Sequence, residues 1–417
     1  MKSKGFFRLS RVLKWMGILA GVLIVVAVGF GVMLQIFPST GAYGAETLRQ
    51  IIGEQPVALM ETAVFNLQDA IKKTEVNLGL AKPTDPWQTG SEGMVKISTG
   101  IANQPTLKTK TGTNAETGIP ETSGPTVSQI QATPSVIWTP PAITPLGTLP
   151  GVGTWTPYMT DSTGGVLAYR TFLQPDPTRS YATTAVVAFN LKDVQLHYRV
   201  GFGEPYLPGT YKFSDGKIPA NDLAPNVLLA AFNGGFKFQH GAFGSMQDGM
   251  VSVPPRNGFG TVAFYQDGHI QIGEWGTDLS QTPDMVAFRQ NGPLIIQNGA
   301  ITSQVNIPNY WGYTVTGATV TWRSGIAIDQ TGSTLYYFAG PYLSINTLAQ
   351  AMIAAHAWDA IQLDINNFWV NFESFTATNG KLVPEPLFPQ GMNANTGRFL
   401  GPYVRDFFYV TLQTPRG

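Results

Sequence analysis

An apolar strand, AAFN at 230 to 233, runs into Asn233-Gly234-Gly235-Phe236 and then into a glycine-spaced loop ending Asp248-Gly249. A strand that ends in an amide and two glycines presents backbone to a ligand, because no Cβ stands in the way. Lys237 and His240 in that loop, and Arg256 just beyond it, could add positive charge toward an anion. Asp248-Gly249 reads first as a hairpin turn, the ordinary use of that dipeptide, and second as a carboxylate for chemistry. Another acid, Asp364, follows AIQL and emerges where a buried strand ends. A lone acid there is costly unless it is used or paired, and its plainer reading is a turn or capping aspartate for the Asn-rich loop behind it. Arg323 heads the strand RSGIAID; its plain reading is a strand-edge arginine paired with an acid, its functional one a planar fork for an anion. His240 is one of four histidines, none at metal-ligand spacing, so it reads as a loop residue and not a metal ligand.

The elements that must position these residues are strands joined by tight turns. YATTAVVAFN and VQLHYRVG flank Leu191-Lys192-Asp193, TVAFYQ and HIQIG flank Asp267-Gly268, PLIIQ and AITSQ flank Asn298-Gly299, and SGIAID and STLYYFAG flank Gln330-Thr331-Gly332. Asp-Gly and Asn-Gly between apolar runs predict hairpins. One clear helix is predicted over Ile345 to Asp359, capped by Ser344 or Asn346 and feeding the strand AIQLDI. The expectation is an α+β domain on an antiparallel-rich sheet with few helices.

Taken in order, the Asn-Gly-Gly-Phe turn, Asp248-Gly249, RQNGPLIIQNG at 289 to 299, WRSGIAIDQTGSTLYYF at 322 to 338 and the helix-then-strand ending LDINN at 363 to 367 resemble the phosphodiester glycosidase family over 155 to 413. The resemblance implies hydrolysis of a sugar-1-phosphate diester at the sugar carbon. It implies Arg323 as the phosphate partner and Asp364 as the carboxylate that activates water or steadies the oxocarbenium-like centre, with Asp248 as a second acid. Asn233, Gly234 and Gly235 would hold sugar hydroxyls or phosphate, with Lys237 and His240 beside them. The family usually closes its helix-strand unit with Asp-Gly-Gly-Gly-Ser, whereas this chain has Asp364-Ile365-Asn366-Asn367-Phe368. Asn366 and Asn367 tolerate positive φ and offer hydrogen bonds to hydroxyls, while Ile365 and Phe368 add bulk. The second reading is therefore a glycan-binding or envelope-assembly protein of the same fold that has lost turnover. Phe368, Trp369, Phe372 and Phe375 would suit sugar stacking or core packing.

Composition bounds the partners. Basic and acidic residues balance at 26 each, so no charge field recommends nucleic acid. Charged residues make up 12% of the chain, about half the usual share of ~25%, and the remaining polarity suits a glycan-facing protein. With no cysteine, thiolate metal sites and cysteine nucleophiles are excluded. No Walker, Gly-x-Ser-x-Gly or His-Glu-x-x-His pattern occurs; no cofactor is expected, and a carboxylate-bound divalent cation is not demanded by any spacing.

The amino-terminal half is organised differently. Lys2, Lys4, Arg8, Arg11 and Lys14 mark a basic tail over 1–14, ahead of an uncharged run from Trp15 to Leu34. That run has the ~20 residues a membrane-crossing helix needs, and the positive-inside rule keeps the tail cytoplasmic. An anchor over 15–37 and an extracytoplasmic main domain are expected, with a cleaved signal peptide as the rival. Met60, Val64, Leu67, Ile71, Thr74 and Leu78 alternate spacings of four and three, predicting a helical stalk over 38–81 that packs on the domain or self-associates. Residues 82–154, rich in Thr, Pro, Gly and Ser, read as a disordered linker to a main domain at 155–417.

Overall fold

The computed structural model describes residue 44 and residues 47–87, 138–312, 319–392 and 396–413. Antiparallel sheets with few helices make up the molecule, as expected. β1 (Thr156–Thr160), β2 (Val166–Leu173), β3 (Thr184–Asn190), β14 (Thr334–Leu343), β13 (Thr321–Ile328), β15 (Asp359–Ile365), β11 (Ile296–Gln297) and β12 (Ala300–Ile301) lie side by side in that order. A second sheet runs β17 (Lys381–Pro386), β16 (Phe372–Thr378), β5 (Leu228–Asn233), β18 (Phe407–Leu412) and β4 (Val194–Arg199). A third runs β7 (Met250–Val253), β6 (Ser245–Gln247), β10 (Met285–Gln290), β8 (Gly260–Tyr265) and β9 (Ile270–Glu274).

The eight-stranded sheet is covered on both faces, which is why its central strands are apolar without interruption. Alternate residues of β3 divide between two cores: Ala185, Val187 and Phe189 face the core shared with the other sheets, and Val186 and Ala188 face the opposite one. The same division separates Leu335, Tyr337 and Ala339 of β14 from Tyr336 and Phe338.

Two helices matter for the site: α1 (Glu54–Asn77), which leans on the domain, and α2 (Ile345–Ala354), which covers the second core. Ser344 caps α2 in a reciprocal pair with Thr347, one of the two caps the sequence offered. The helix is shorter than the predicted 345–359, because the chain turns at His356, whose φ of +59 cannot continue a helix. Three predicted hairpins form, at Asp267-Gly268, Asn298-Gly299 and Gln330-Thr331-Gly332. The fourth does not: β3 and β4 belong to different sheets, and Leu191-Lys192-Asp193 is the corner between them.

The linker composition gives way to packed structure before residue 155. Ile143 is buried, the Thr144 N–H donates to the Ala354 carbonyl at 2.8 Å and the Gln174 N–H to the Leu146 carbonyl at 2.7 Å, so residues from Trp138 onward dock on the second core. Among the described residues no helix is long and apolar enough to cross a membrane. The basic tail, the run Trp15 to Leu34 and the middle of the linker lie outside the described residues.

Candidate functional site

β5 ends at Asn233 with β16 on one side and β18 on the other, so the turn that follows is held by two strands. Immediately before β18 stand Arg405 and Asp406, and immediately after β10 stands Asn291; all three converge on that turn. The Gly234 N–H donates to the Asp406 carbonyl at 3.1 Å and the Gly235 N–H to Asp406 Oδ2 at 3.0 Å. Arg289 Nε donates to the same Oδ2 at 2.7 Å, and its other nitrogens reach the carbonyls of Gln290 and Phe236 at 2.6 Å. Asn291 accepts from the Phe236 N–H at 3.1 Å and donates to the carbonyls of Gln362 and Leu363 at 2.6 and 2.7 Å, tying the turn to β15.

Asp364 completes the cluster. Its Oδ2 lies 2.7 Å from Arg405 Nη2, which also donates to the Gly235 carbonyl at 2.7 Å, and its Oδ1 accepts the Ile365 N–H at 2.8 Å. Two arginines and two aspartates thus alternate as Arg289, Asp406, Arg405 and Asp364, with side-chain exposures of 0, 1, 5 and 7%. The Arg405 guanidinium stacks 4.4 Å from the Trp369 ring centre and Lys237 Nζ sits 5.2 Å from it, so one indole carries two cations. Burial pushes the Asp364 carboxyl above its ordinary value, with Asp406 adding to the rise and Arg405 and Lys237 pulling against it. Burial opposes the Arg405 charge, but Asp364 and Asp406 outweigh it and hold that guanidinium above its usual pKa. The same contest at Arg289 is won by Asp406.

A bulge aims Asp364 at this cluster. Gly325 of β13 pairs with Gln362 and Arg323 pairs with Ile365, so two steps on β13 face three on β15. An extra residue in one strand re-aims its neighbours, and bulges are enriched beside active sites. Gln362, before the bulge, accepts from Arg323 Nη1 at 2.7 Å, whereas Asp364, after it, meets Arg405. Ser324 bridges the irregular stretch by donating to the Asp364 carbonyl at 3.0 Å and accepting from Asn233 Nδ2 at 3.0 Å.

The structure brings together Asp364, Gly234, Gly235 and Lys237 among the residues singled out from the sequence, and sets the others apart. Arg323 is fully buried on the α2 side, donating to the Leu343 and Trp311 carbonyls at 2.9 Å besides Gln362, and burial pushes its pKa down to about 10. It braces strands, its nitrogens turned to carbonyls and an amide of the fold, where the resemblance implied a phosphate partner. Asp248 stands in the turn between β6 and β7 with φ +52, its side chain 68% exposed and 3.4 Å from Arg199, and belongs to a surface hairpin. His240 faces α1, with Nε2 3.9 Å from Glu54 Oε1. The Asn233 amide is spent within the protein: Oδ1 accepts from the Tyr337 hydroxyl and the Asn371 N–H, and Nδ2 donates to Ser324 and the Gly234 carbonyl. These bonds fix the turn that follows β5. Asn366, at φ +82, accepts the Phe368 N–H at 3.1 Å, and it lines a cavity with Asn367. Among the described residues no three His, Asp or Glu side chains gather as they would around a metal ion.

The two glycines have a reason that does not need a ligand. A Cβ on Gly234 would stand 2.1 Å from Asp406 Oδ2, and one on Gly235 3.0 Å from both Arg289 Nη2 and Asn291 Oδ1. They admit the charges that back the turn. Arg405, Asp406, Arg289 and Asn291 were not singled out from the sequence; the signal for two of them is an Arg-Asp pair set directly before the uncharged, largely apolar FFYVTL.

A buried, charge-balanced cluster at the ends of three strands, with Lys237 sharing the Trp369 ring with Arg405, marks a candidate site in an α+β domain. Residues 226–364 match the family described as phosphodiester glycosidase, so the resemblance carried by the ordered motifs holds across that stretch. No curated protein matches the chain. Among solved structures, the catalytic domain of zebrafish N-acetylglucosamine-1-phosphodiester alpha-N-acetylglucosaminidase, described as auto-inhibited by its pro-peptide, is 16% identical with a TM-score of 0.36, over 61% of this chain and 86% of that one. A hypothetical protein from Synechocystis is 11% identical with a TM-score of 0.33, over 59% of this chain and 62% of that one.

Proposed function

We propose that the chain is a glycosidase that cleaves a sugar-1-phosphate diester of an envelope or exported glycan between the sugar carbon and the phosphate. The observation that carries this reading is the Asp364–Arg405 pair at 2.7 Å, backed by Asp406 and flanked by Lys237. The group that departs is a phosphate monoester, with a second pKa of about 6, so it needs charge neutralisation more than protonation. Arg405 and Lys237 supply that charge from the Trp369 side. Asp364, whose pKa burial raises and Arg405 pulls back, supplies the carboxyl group for water or for the oxocarbenium-like centre.

A membrane anchor at Trp15 to Leu34 with the domain outside belongs to the same reading, supported by the five basic residues ahead of that run. Self-association through α1 is supported by Leu67 and Ile71, which point outward at 44 and 50% exposure although both sit in the heptad spacing. Val64 of that spacing is buried instead.

A binding protein without turnover remains the second reading, favoured by one feature: both Asp364 oxygens are already engaged and the side chain is 7% exposed. Release of sugar from a panel of sugar-1-phosphate diesters separates the two. The glycosidase reading expects turnover that falls by about 10²–10⁴ in Asp364→Asn with the fold retained. Sugar or polymer bound by a chain that turns over nothing in the panel would refute it in favour of the binding protein.

A further inference from the structure

A carboxyl group that the site description has not used, Glu204, is fixed to both of the segments that carry the site's cations. The Glu204 and Gly203 N–H groups donate to the Val404 carbonyl at 2.9 and 3.0 Å, and the Phe202 N–H donates to the Tyr403 carbonyl at 3.0 Å. A Cβ on Gly201 would stand 2.4 Å from the backbone carbon of Arg405, so Gly201-Phe202-Gly203-Glu204 lies directly against the chain that leads into β18. From there the Glu204 side chain reaches the turn after β5, where Oε2 accepts the Phe238 N–H at 3.0 Å, one residue beyond Lys237. Its charge acts on both arginines of the cluster, adding to the pull of Asp364 and Asp406 on Arg405 and to that of Asp406 on Arg289.

The two carboxyl groups differ in what they have left to offer. Asp364 is 7% exposed and both of its oxygens are engaged, by Arg405 and by the Ile365 N–H. Glu204 is partly exposed, and among the described residues only its Oε2 has a hydrogen-bond partner. A group that takes a proton from water needs a lone pair open to that water, and cleavage of a glycosidic bond calls for one carboxyl group there and another at the sugar carbon. The plainer account of Glu204 is a cap, because Phe238 opens a single helical turn, Phe238–His240, whose first N–H needs an acceptor. A cap uses one oxygen and no charge, and the amide oxygen of a glutamine would serve as well. That difference makes the two accounts separable.

We propose that Glu204 is the base that activates water at this site, an assignment that rests on the glycosidase reading. The Glu204 carboxylate takes a proton from water as the water oxygen bonds to the sugar carbon. The bond from that carbon to the phosphate oxygen breaks, and its electron pair leaves with the phosphate monoester, whose charge Arg405 and Lys237 meet. The proton then passes from Glu204 to solvent and restores the carboxylate. Asp364 is left to the oxocarbenium-like centre.

The test uses the full chain in detergent and the methyl diesters of glucose, mannose and N-acetylglucosamine 1-phosphate, with kcat and KM measured for the parent, Glu204→Gln and Glu204→Ala and with folding checked by thermal melts. Both variants should lose about 10²–10⁴ in kcat with KM within about threefold of the parent. Azide, which attacks carbon without giving up a proton, should restore cleavage in Glu204→Ala by at least about tenfold and yield the glycosyl azide, read by mass spectrometry. Glu204→Gln keeps an acceptor for Phe238 and carries the comparison if Glu204→Ala does not fold. A kcat for Glu204→Gln within about threefold of the parent would reduce Glu204 to a cap and overturn the assignment while sparing the glycosidase. So would a raised KM with unchanged kcat in Glu204→Ala, which makes the residue a support for Lys237, or a lost kcat that azide leaves unrepaired. A parent that turns over none of the diesters fails the glycosidase reading itself, and the base falls with it.

Discussion

Asp406→Asn is the most searching perturbation of the charge cluster, because it keeps the shape of the side chain and removes only its charge. Asp406 and Arg289 are 1 and 0% exposed and 2.7 Å apart, so water cannot replace the lost partner. Stripping one member from such a pair leaves a buried charge uncompensated, at a cost of about 3–5 kcal/mol. In a domain of this size that is a fall in Tm of roughly 6–20 °C. Urea unfolding of Asp406→Asn, Arg289→Gln and the double variant closes a cycle. The double variant should cost less than the sum of the singles by at least ~1.5 kcal/mol, although it will not be neutral, since Gln290 and Phe236 also lose their donor. The same substitution removes a negative charge that raises the Asp364 carboxyl, so the acid limb of any activity profile should move to lower pH. A single-variant cost below ~1 kcal/mol, or additivity within ~0.5 kcal/mol, would refute the claim that these charges hold one another in place.

Gly234→Ala should destabilise by about 1–3 kcal/mol in the same urea assay, because the new Cβ would collide with Asp406 Oδ2, while Gly401→Ala, with nothing within 4 Å, should stay within ~0.5 kcal/mol of the parent. Arg323→Met should lower stability by several kcal/mol, on the order of 3, by leaving the Leu343 and Trp311 carbonyls without donors, yet leave the KM of the folded fraction for a diester unchanged; a raised KM would restore Arg323 to the site. His197 predicts an acid sensitivity: burial, aided by Arg199 and opposed by Asp222, lowers its pKa to about 4, below the ~6.5 of the unfolded chain. The unfolded state therefore takes the proton first as pH falls below 6.5, and stability present at pH 7.5 should drop by about 2 kcal/mol by pH 5, a loss absent from His197→Gln in melts at both pH values.

What the sequence revealed was local, and what it hid was distant. Asp-Gly, Asn-Gly and Thr-Gly turns specify hairpins within a few residues, and those three hairpins formed where the turns predicted. Leu191-Lys192-Asp193 failed because the continuous apolar run of β3 and the alternation of β4 say that each is a strand but not which sheet each joins. The segment at 138–154 reads as linker from its prolines, yet Trp138, Ile143 and Leu146 suffice to dock it, since a few buried apolar contacts offset the entropy of so short a stretch.

The site divides along the same line. Asp364 was legible as an acid at a strand end, but the cation of the site was expected at Arg323, and no pattern in AIQLDI discloses the extra residue in β15 beyond which Asp364 meets Arg405. The Asn-Gly-Gly turn shows a related ambiguity. Glycines that let a ligand approach a backbone and glycines that let a buried carboxylate approach it from behind leave the same letters in the sequence. Here the second cause is present at Gly234, where Asp406 fills the space a side chain would need, so the pair of glycines is evidence for the charge cluster before it is evidence for a substrate. What favours an anionic ligand is then Arg405 and Lys237 gathered on one indole, an arrangement built by residues from three separate segments of the chain.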